Sequence, residues 1–279
     1  MSAPALARYA VFGHPIAHSK SPRIHAEFAR RTHQSLSYEA IEAPLTDFSG
    51  CVRRFIAAGG VGGNVTVPFK EEAFALCAEL SARARAAEAV NTLVFRADGS
   101  WYGDNTDGIG LVRDLNARQV VLERARILVC GAGGAVRGIL GPLLDAGPAE
   151  LVIANRSHHK ALLLARAFAG QGEVRAATFE QLPGERFDLV LNATSAGLSG
   201  ALPALPAGLF APGAVAYDLV YGPAALPFLR WARAEGAAQL IDGVGMLIEQ
   251  AAEAFFLWRG VRPETQGMAA LLGVMAPTL

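Results

Sequence analysis

Residues 126–136 read Arg126-Ile127-Leu128-Val129-Cys130-Gly131-Ala132-Gly133-Gly134-Ala135-Val136. A short apolar strand runs into a glycine turn and then into a helical pattern that lasts to about Gly147. A phosphate-binding turn needs this context. Gly131 permits the tight turn, Gly133 lets the backbone approach a pyrophosphate, and the helix start offers unpaired N–H groups. The third glycine of the dinucleotide pattern is absent, and Val136 stands in its place. The next strand, Leu151–Ala154, runs into Asn155-Arg156-Ser157-His158-His159-Lys160. An NAD site usually closes that strand with an acid for the ribose 2′-hydroxyl, and no acid is present. Arg156 and Lys160 supply positive charge and Ser157 a donor, which suits the 2′-phosphate of NADP. Basic groups at a helix start oppose its dipole, so a bound phosphate gives them a reason to be there.

Working outward, Glu173–Ala177, Phe187–Asn192, Ala214–Asp218 and Leu240–Ile241 read as strands. Lys160–Gly170 and Ala224–Glu235 read as helices between them. This order predicts an α/β fold with a parallel sheet covered by helices on both faces. Upstream, Tyr9–Gly13, Leu36–Ala43 and Val61–Val67 read as strands. Helices are expected over Arg23–His33, Phe48–Ala58, from Phe69 onward and over Asp107–Gln119. A hairpin joins Asn91–Arg96 to Ser100–Gly103 around Asp98-Gly99. After Asp242-Gly243 come two helical stretches, Gly245–Gly260 and Glu264–Leu272, expected to return to the first unit. The 279 residues thus divide into an N-terminal α/β domain of 1–106 completed by 243–279, and a Rossmann-like domain of 107–242.

Composition narrows the class. Lys plus Arg equals Asp plus Glu at 25 each, which argues against a nucleic-acid partner. Only Lys20, Lys70 and Lys160 are lysines, and the other 25 − 3 = 22 basic residues are arginines. Lysine can lose its proton and arginine cannot, so a lysine kept in such a background can carry chemistry that arginine lacks. Cys51, Cys77 and Cys130 are far apart and the six histidines lack metal spacing, so neither disulfide nor metal is expected. Pro4 and Arg8 break any leader-like apolar run. The uncharged stretch 189–217 is interrupted by Asn192, Pro203, Pro206 and Pro212, which speaks against a membrane span. The expectation is a soluble, cytoplasmic protein.

Three polar turns carry candidate chemistry. In Ser19-Lys20-Ser21-Pro22, Pro22 suits the first helical position and Ser21 the N-cap. Two hydroxyls beside a helix start also make a carboxylate site. In Asn64-Val65-Thr66-Val67-Pro68-Phe69-Lys70, Pro68 marks a helix start, so Lys70 lies in the first turn, a poor place for a cation. A lysine able to cycle its proton is what carbonyl reduction requires; an ordinary surface lysine is the alternative. In Asp104-Asn105-Thr106-Asp107-Gly108, Asp107 is either a helix cap or a functional acid.

These motifs occur in order with Asn91-Thr92, Gly131-Ala132-Gly133-Gly134, Asn155-Arg156-Ser157, Asn192-Ala193-Thr194-Ser195 and Asp242-Gly243-Val244-Gly245-Met246-Leu247. As an ordered set covering nearly the whole chain, they closely resemble the shikimate dehydrogenase family. The resemblance implies an NADP-dependent oxidoreductase that reversibly reduces 3-dehydroshikimate to shikimate in the pathway to chorismate and the aromatic amino acids. By position it makes Lys70 and Asp107 the catalytic pair. Ser19 and Ser21 would bind the substrate carboxylate, with Tyr217 near it. Thr66, Asn91 and Gln250 would hold ring hydroxyls. Gly131, Ala132, Gly133, Gly134 and Ala135 would line the pyrophosphate. Asn155, Arg156, Ser157 and Lys160 would clamp the adenosine phosphate. Thr194, Leu219, Gly243 and Met246 would complete the cofactor site, the last two where the nicotinamide rests. Lys160 departs from the arginine often found at the last clamp position, and lysine acts on phosphate as a point charge rather than a fork. A quinate-using relative with looser cofactor choice, and a non-catalytic ligand sensor, remain open on the sequence alone. So does a monomer or a homodimer.

Overall fold

The computed structural model describes residues 6–194, 196 and 201–273; Pro4 and Ser195 lie outside them. The chain forms two compact units. One runs to Gly110 and takes up Ile248–Leu272, and the other holds Leu111–Leu247. The chain passes between them inside two helices, α5 (Asp107–Ala117) and α9 (Val244–Arg259).

The first unit holds β1 (Ala7–Gly13), α1 (Ser21–Arg31), β2 (Leu36–Glu42), α2 (Phe48–Ala57), β3 (Gly60–Val65), α3 (Lys70–Leu76), β4 (Glu79–Leu80), α4 (Ala82–Ala87), β5 (Thr92–Phe95) and β6 (Trp101–Asp104). Its sheet runs β2-β1-β3-β5-β6-β4. β1 pairs parallel with β2 and β3, whereas β5 and β6 form the antiparallel hairpin expected around Asp98-Gly99. Two short helices start on side-chain caps. Asp47 accepts from Gly50 N–H at 3.1 Å, and Ser81 Oγ accepts from Ala84 N–H at 3.0 Å. The core is aromatic: Phe12 meets Phe48 and Phe55 edge-on. From α9, Trp258 stacks on Tyr9 with ring centres 4.5 Å apart and donates its indole N–H to Leu93 O.

The second unit holds β7 (Arg126–Cys130), α6 (Gly134–Asp145), β8 (Glu150–Ala154), α7 (His158–Phe168), β9 (Val174–Ala177), β10 (Phe187–Asn192), β11 (Phe210–Asp218), α8 (Leu226–Ala234) and β12 (Gln239–Ile241). Its strands are all parallel, in the order β12-β11-β10-β7-β8-β9. This is the doubly wound dinucleotide-binding order, with its topological switch point between β7 and β10. Ile127, Leu128, Val129, Val152, Ile153, Val190 and Leu191 are wholly buried, as a parallel sheet covered on both faces requires.

Three local expectations change. Helix α1 begins at Ser21 itself, and Lys20 holds the cap position without a side-chain cap bond. Ser19 Oγ instead accepts from Ser21 N–H at 3.3 Å, two residues before the cap expected at Ser21. The helix expected from Glu264 starts only at Met268, where α10 (Met268–Leu271) follows Gly267 in the left-handed region at φ 76°. Before it, the Glu264 carboxylate accepts from Gln266 N–H and holds a turn. Ala224–Glu235 opens as a 3-10 turn over Gly222–Ala225 before α8 begins.

One buried histidine makes a stability prediction. His25 on α1 is fully buried and stacked on Tyr38 at 4.1 Å, and neither ring nitrogen has a hydrogen-bond partner among the described residues. Burial pushes its pKa down to about 3, against a smaller opposing pull from Asn64. The folded imidazole is therefore neutral while the unfolded one protonates below about 6.5. His25 thus costs nothing above the unfolded value, and stability falls as pH drops through that value toward the folded one. Between pH ~7.5 and ~5 this linkage removes about 2 kcal/mol. His25→Phe keeps the ring packing and abolishes the titration. Thermal melts should show the variant gaining several degrees on the parent at the lower pH relative to the higher. A gap that does not change with pH would show that His25 does not titrate in this way.

Candidate active site

In the first unit, the polar residues gather at one edge of the sheet. β1 and β3 are parallel, so their carboxyl ends, Gly13 and Val65, lie on that edge. β5 runs the other way, and Thr92 pairs with Asn64 and Asp104 there. The turns after β1, β3 and β6 then carry Ser19 and Ser21, Thr66 and Lys70, and Asp107. A glycine at position 13 is required sterically, because a Cβ there would meet Thr66 Cγ2 at 2.5 Å.

Lys70 and Asp107 are 37 residues apart and form an ion pair: Lys70 Nζ donates to Asp107 Oδ2 at 2.6 Å. The pair is only partly buried, with side chains 24% and 12% exposed, so the ammonium stays within reach of a ligand. Asp107 does not act as a helix cap. Asn105 Oδ1 takes that role by accepting Asp107 N–H at 3.2 Å, which frees the carboxylate. Asn91 occupies its other oxygen, donating from Nδ2 to Asp107 Oδ1 at 2.8 Å and to Thr106 Oγ1 at 3.0 Å. Gln250 Oε1 lies 3.4 Å from both Asn91 Nδ2 and Thr106 Oγ1. The turn itself is pinned from behind. Arg83 forks onto both oxygens of buried Asp104 at 2.8 Å and reaches Glu253 on α9 at 3.0 Å. Ser19, Ser21, Thr66, Lys70, Asn91, Asp107 and Gln250 all belong to this unit. Asp104 opens the third polar turn, but Arg83 lies in no sequence motif, since neither spacing nor residue type pairs it with Asp104.

The second unit carries the expected cofactor residues. Gly131 adopts φ 119°, and a Cβ there would press on Ala193 O at 3.0 Å, across the switch point. Cβ atoms at Gly133 and Gly134 would meet nothing within 4 Å, so the backbone faces open space. Helix α6 starts there with no side-chain cap, which leaves its first N–H groups for a ligand. Past β8, Asn155 Nδ2 donates to Ser157 O at 3.1 Å and shapes the turn. Arg156, Ser157 and Lys160 are exposed. An open glycine cradle, an uncapped helix start and two exposed cations fit a dinucleotide bearing a 2′-phosphate. At the ends of β10 and β11, Asn192 Oδ1 accepts from Thr194 N–H and Oγ1–H, and Leu219 N–H donates to Asn192 O at 2.9 Å. Buried Asp218 takes Asn192 Nδ2 at 2.8 Å and Val220 N–H at 3.0 Å, and burial raises its pKa to about 7. Gly243 is held by its N–H to Val220 O at 2.9 Å, and a Cβ there would strike Leu219 O, so only glycine fits. Met246 is partly exposed two residues into α9.

Tyr217, expected near the substrate carboxylate, belongs to the second unit, where it is buried and donates its hydroxyl to Asp114 Oδ2 at 2.8 Å. Asp114 also takes Arg118 Nε at 2.9 Å. The phenol is a strut of the second unit, and its burial next to that carboxylate holds its pKa well above the ordinary value.

Family models match three stretches: residues 11–93 as shikimate dehydrogenase substrate binding domain, 114–199 as shikimate / quinate 5-dehydrogenase, and 243–272 as shikimate 5'-dehydrogenase C-terminal domain. The chain is 58% identical to the shikimate dehydrogenase (NADP(+)) of Chromohalobacter salexigens over 258 residues, covering 92% of this chain and 94% of that one. It is also 58% identical to the enzyme of the same name from Dechloromonas aromatica over 266 residues, covering 95% and 96%. Among solved structures, shikimate 5-dehydrogenase from Thermus thermophilus, in complex with NADP(H) and shikimate, superposes with a TM-score of 0.86 at 38% identity, covering 96% of this chain and 99% of that one.

Proposed function

The chain belongs to the shikimate dehydrogenase family, and on that premise we propose that it catalyses the reversible, NADP-dependent reduction of 3-dehydroshikimate to shikimate. NADPH supplies the hydride that reaches the C3 carbonyl carbon. Lys70 gives the carbonyl oxygen its proton and recovers it in the oxidative direction. Asp107 holds the ammonium in place through the 2.6 Å contact. The observation that carries this reading is that ion pair, partly open at the strand edge, with Asn91 fixing the second carboxylate oxygen.

Around the pair, Ser19 and Ser21 bind the substrate carboxylate from the turn before α1. Thr66, Asn91 and Gln250 hold the ring hydroxyls. In the second unit Gly131, Ala132, Gly133, Gly134 and Ala135 receive the pyrophosphate, and Asn155, Arg156, Ser157 and Lys160 the adenosine phosphate. Thr194 and Leu219 complete the cofactor site, and Gly243 and Met246 lie where the nicotinamide would rest. We place the enzyme in the cytoplasm, since all three cysteines are free thiols, which suits a reducing compartment. Among the described residues, no helix is long and apolar enough to cross a membrane.

Steady-state rates with shikimate and quinate, each with NADP and NAD, test the reading. The highest kcat/KM is expected for shikimate with NADP. A higher value for quinate would make the protein a quinate enzyme, and an absence of turnover with all four pairs would leave a ligand-binding homologue.

A further inference from the structure

Behind the Lys70–Asp107 pair lies a run of hydrogen bonds that all point the same way. Tyr38 on β2 donates its hydroxyl to Asn64 Oδ1 at 2.7 Å. Asn64 then spends both amide hydrogens, on Asn91 O at 3.0 Å and on Thr92 Oγ1 at 3.1 Å. Thr92 passes its hydrogen to Asn91 Oδ1 at 2.8 Å. That oxygen also receives Thr106 N–H at 2.9 Å and lies 3.1 Å from Thr106 Oγ1, so the Asn91 amide has one possible orientation. Its Nδ2 consequently faces the Asp107 carboxylate at 2.8 Å.

Each hydroxyl has one hydrogen to give, and an amide presents an acceptor on one side and donors on the other. Two backbone groups, Asn91 O and Thr106 N–H, fix the direction of the run, and Tyr38 supplies its first donor. From Tyr38 to Asp107 each member donates toward the next, ending on a group that only accepts. Asn64 and Thr92 are buried, and Tyr38 at the head of the run is partly buried. Tyr38 is itself fixed, with its ring flat against that of His25 at 7° and 4.1 Å.

We propose that Tyr38 is a positioning residue for proton transfer: the backbone of Asn91 and Thr106 orients the two amides, and Tyr38, by donating to Asn64, holds the Asn64–Thr92–Asn91 run in place and with it the aim of Asp107 on Lys70. Tyr38 touches none of the reacting groups. Without its hydroxyl, Asn64 Oδ1 loses its donor and the amide is held only through Nδ2, on Asn91 O and Thr92 Oγ1. A looser amide lets Thr92 shift against Asn91 Oδ1, loosening the donor that holds Asp107. The inference rests on the assignment of Lys70 and Asp107 as the proton-transfer pair.

Tyr38→Phe keeps the ring and its stack on His25 and removes the hydroxyl that donates to Asn64. Thr92→Val cuts the same run at a second place with little change of shape. Each should lower kcat for shikimate oxidation about three- to tenfold, with KM for shikimate and NADP within about twofold. Combined with Lys70→Ala, Tyr38→Phe should have no further effect on kcat, because residues that act as a unit are not additive. A purely structural role would lower the melting temperature and leave kcat alone. The Tyr38 hydroxyl also meets the Ser21 side chain, and a role through Ser21 would raise KM and spare kcat. Either result for the folded variants, or an undiminished Tyr38→Phe effect without Lys70, overturns the proposal. If Lys70→Ala itself keeps near-parental kcat, the assignment of the pair fails instead, so the two failures are separable.

Discussion

Lys70→Ala and Lys70→Arg should each lower kcat for shikimate oxidation by about 10²- to 10⁴-fold, the range typical of a lost general acid–base group. The arginine variant is the sharper of the two. Arginine keeps the positive charge and can still pair with Asp107, so the electrostatics of the site change little. It cannot release its proton at any working pH. A site that needed only a cation would tolerate the exchange, and one that needs a proton to move would not. Shikimate affinity, measured by direct titration because KM need not equal a dissociation constant, should change little in the arginine variant. Both variants should fold, since the Lys70 side chain is partly exposed and lies at the start of a short helix. A kcat within about tenfold of the parent would remove Lys70 from the proton-transfer role.

The second large effect concerns cofactor choice. Arg156→Ala combined with Lys160→Ala should lower kcat/KM for NADP by about 10²-fold and leave that for NAD nearly unchanged. Hydrogen bonds to charged groups are worth about 1.5–3 kcal/mol each, and the low end applies because both side chains are exposed. The two cations sit one turn apart at the start of α7, where nothing but an anion makes them favourable. Lys160→Arg should move the ratio the other way, since a guanidinium fork grips phosphate at two points. If the double variant loses equally on NADP and NAD, the residues act on the shared part of the cofactor and the 2′-phosphate assignment fails.

Much of this architecture is legible in the sequence. The strands of the second unit are continuous apolar runs because both their faces are covered, and few folds besides a parallel α/β sheet put a glycine turn between such a strand and a helix. The open backbone at Gly133 and Gly134 and the exposed Arg156 and Lys160 follow from local sequence. What stays hidden depends on partners distant in the chain. Nothing in the sequence around Tyr217 names Asp114, 103 residues away, as the acceptor of its hydroxyl. Asp107 reads equally well as a cap, and only the fold shows Asn105 in that role. Tyr38 and Asn64 lie 26 residues apart on strands separated by β1, and no periodicity connects a phenol to an amide. The late start of α10 turns on one left-handed glycine, Gly267, inside a stretch whose composition suits a helix.

The proposed reaction exchanges a hydride between C3 of shikimate and the nicotinamide. Incubation of the protein with NADP and shikimate deuterated at C3 follows that hydride. The expected product is NADPH that carries the deuterium and forms only when shikimate is present. Absence of NADP reduction, or NADPH formed without the label, would contradict it.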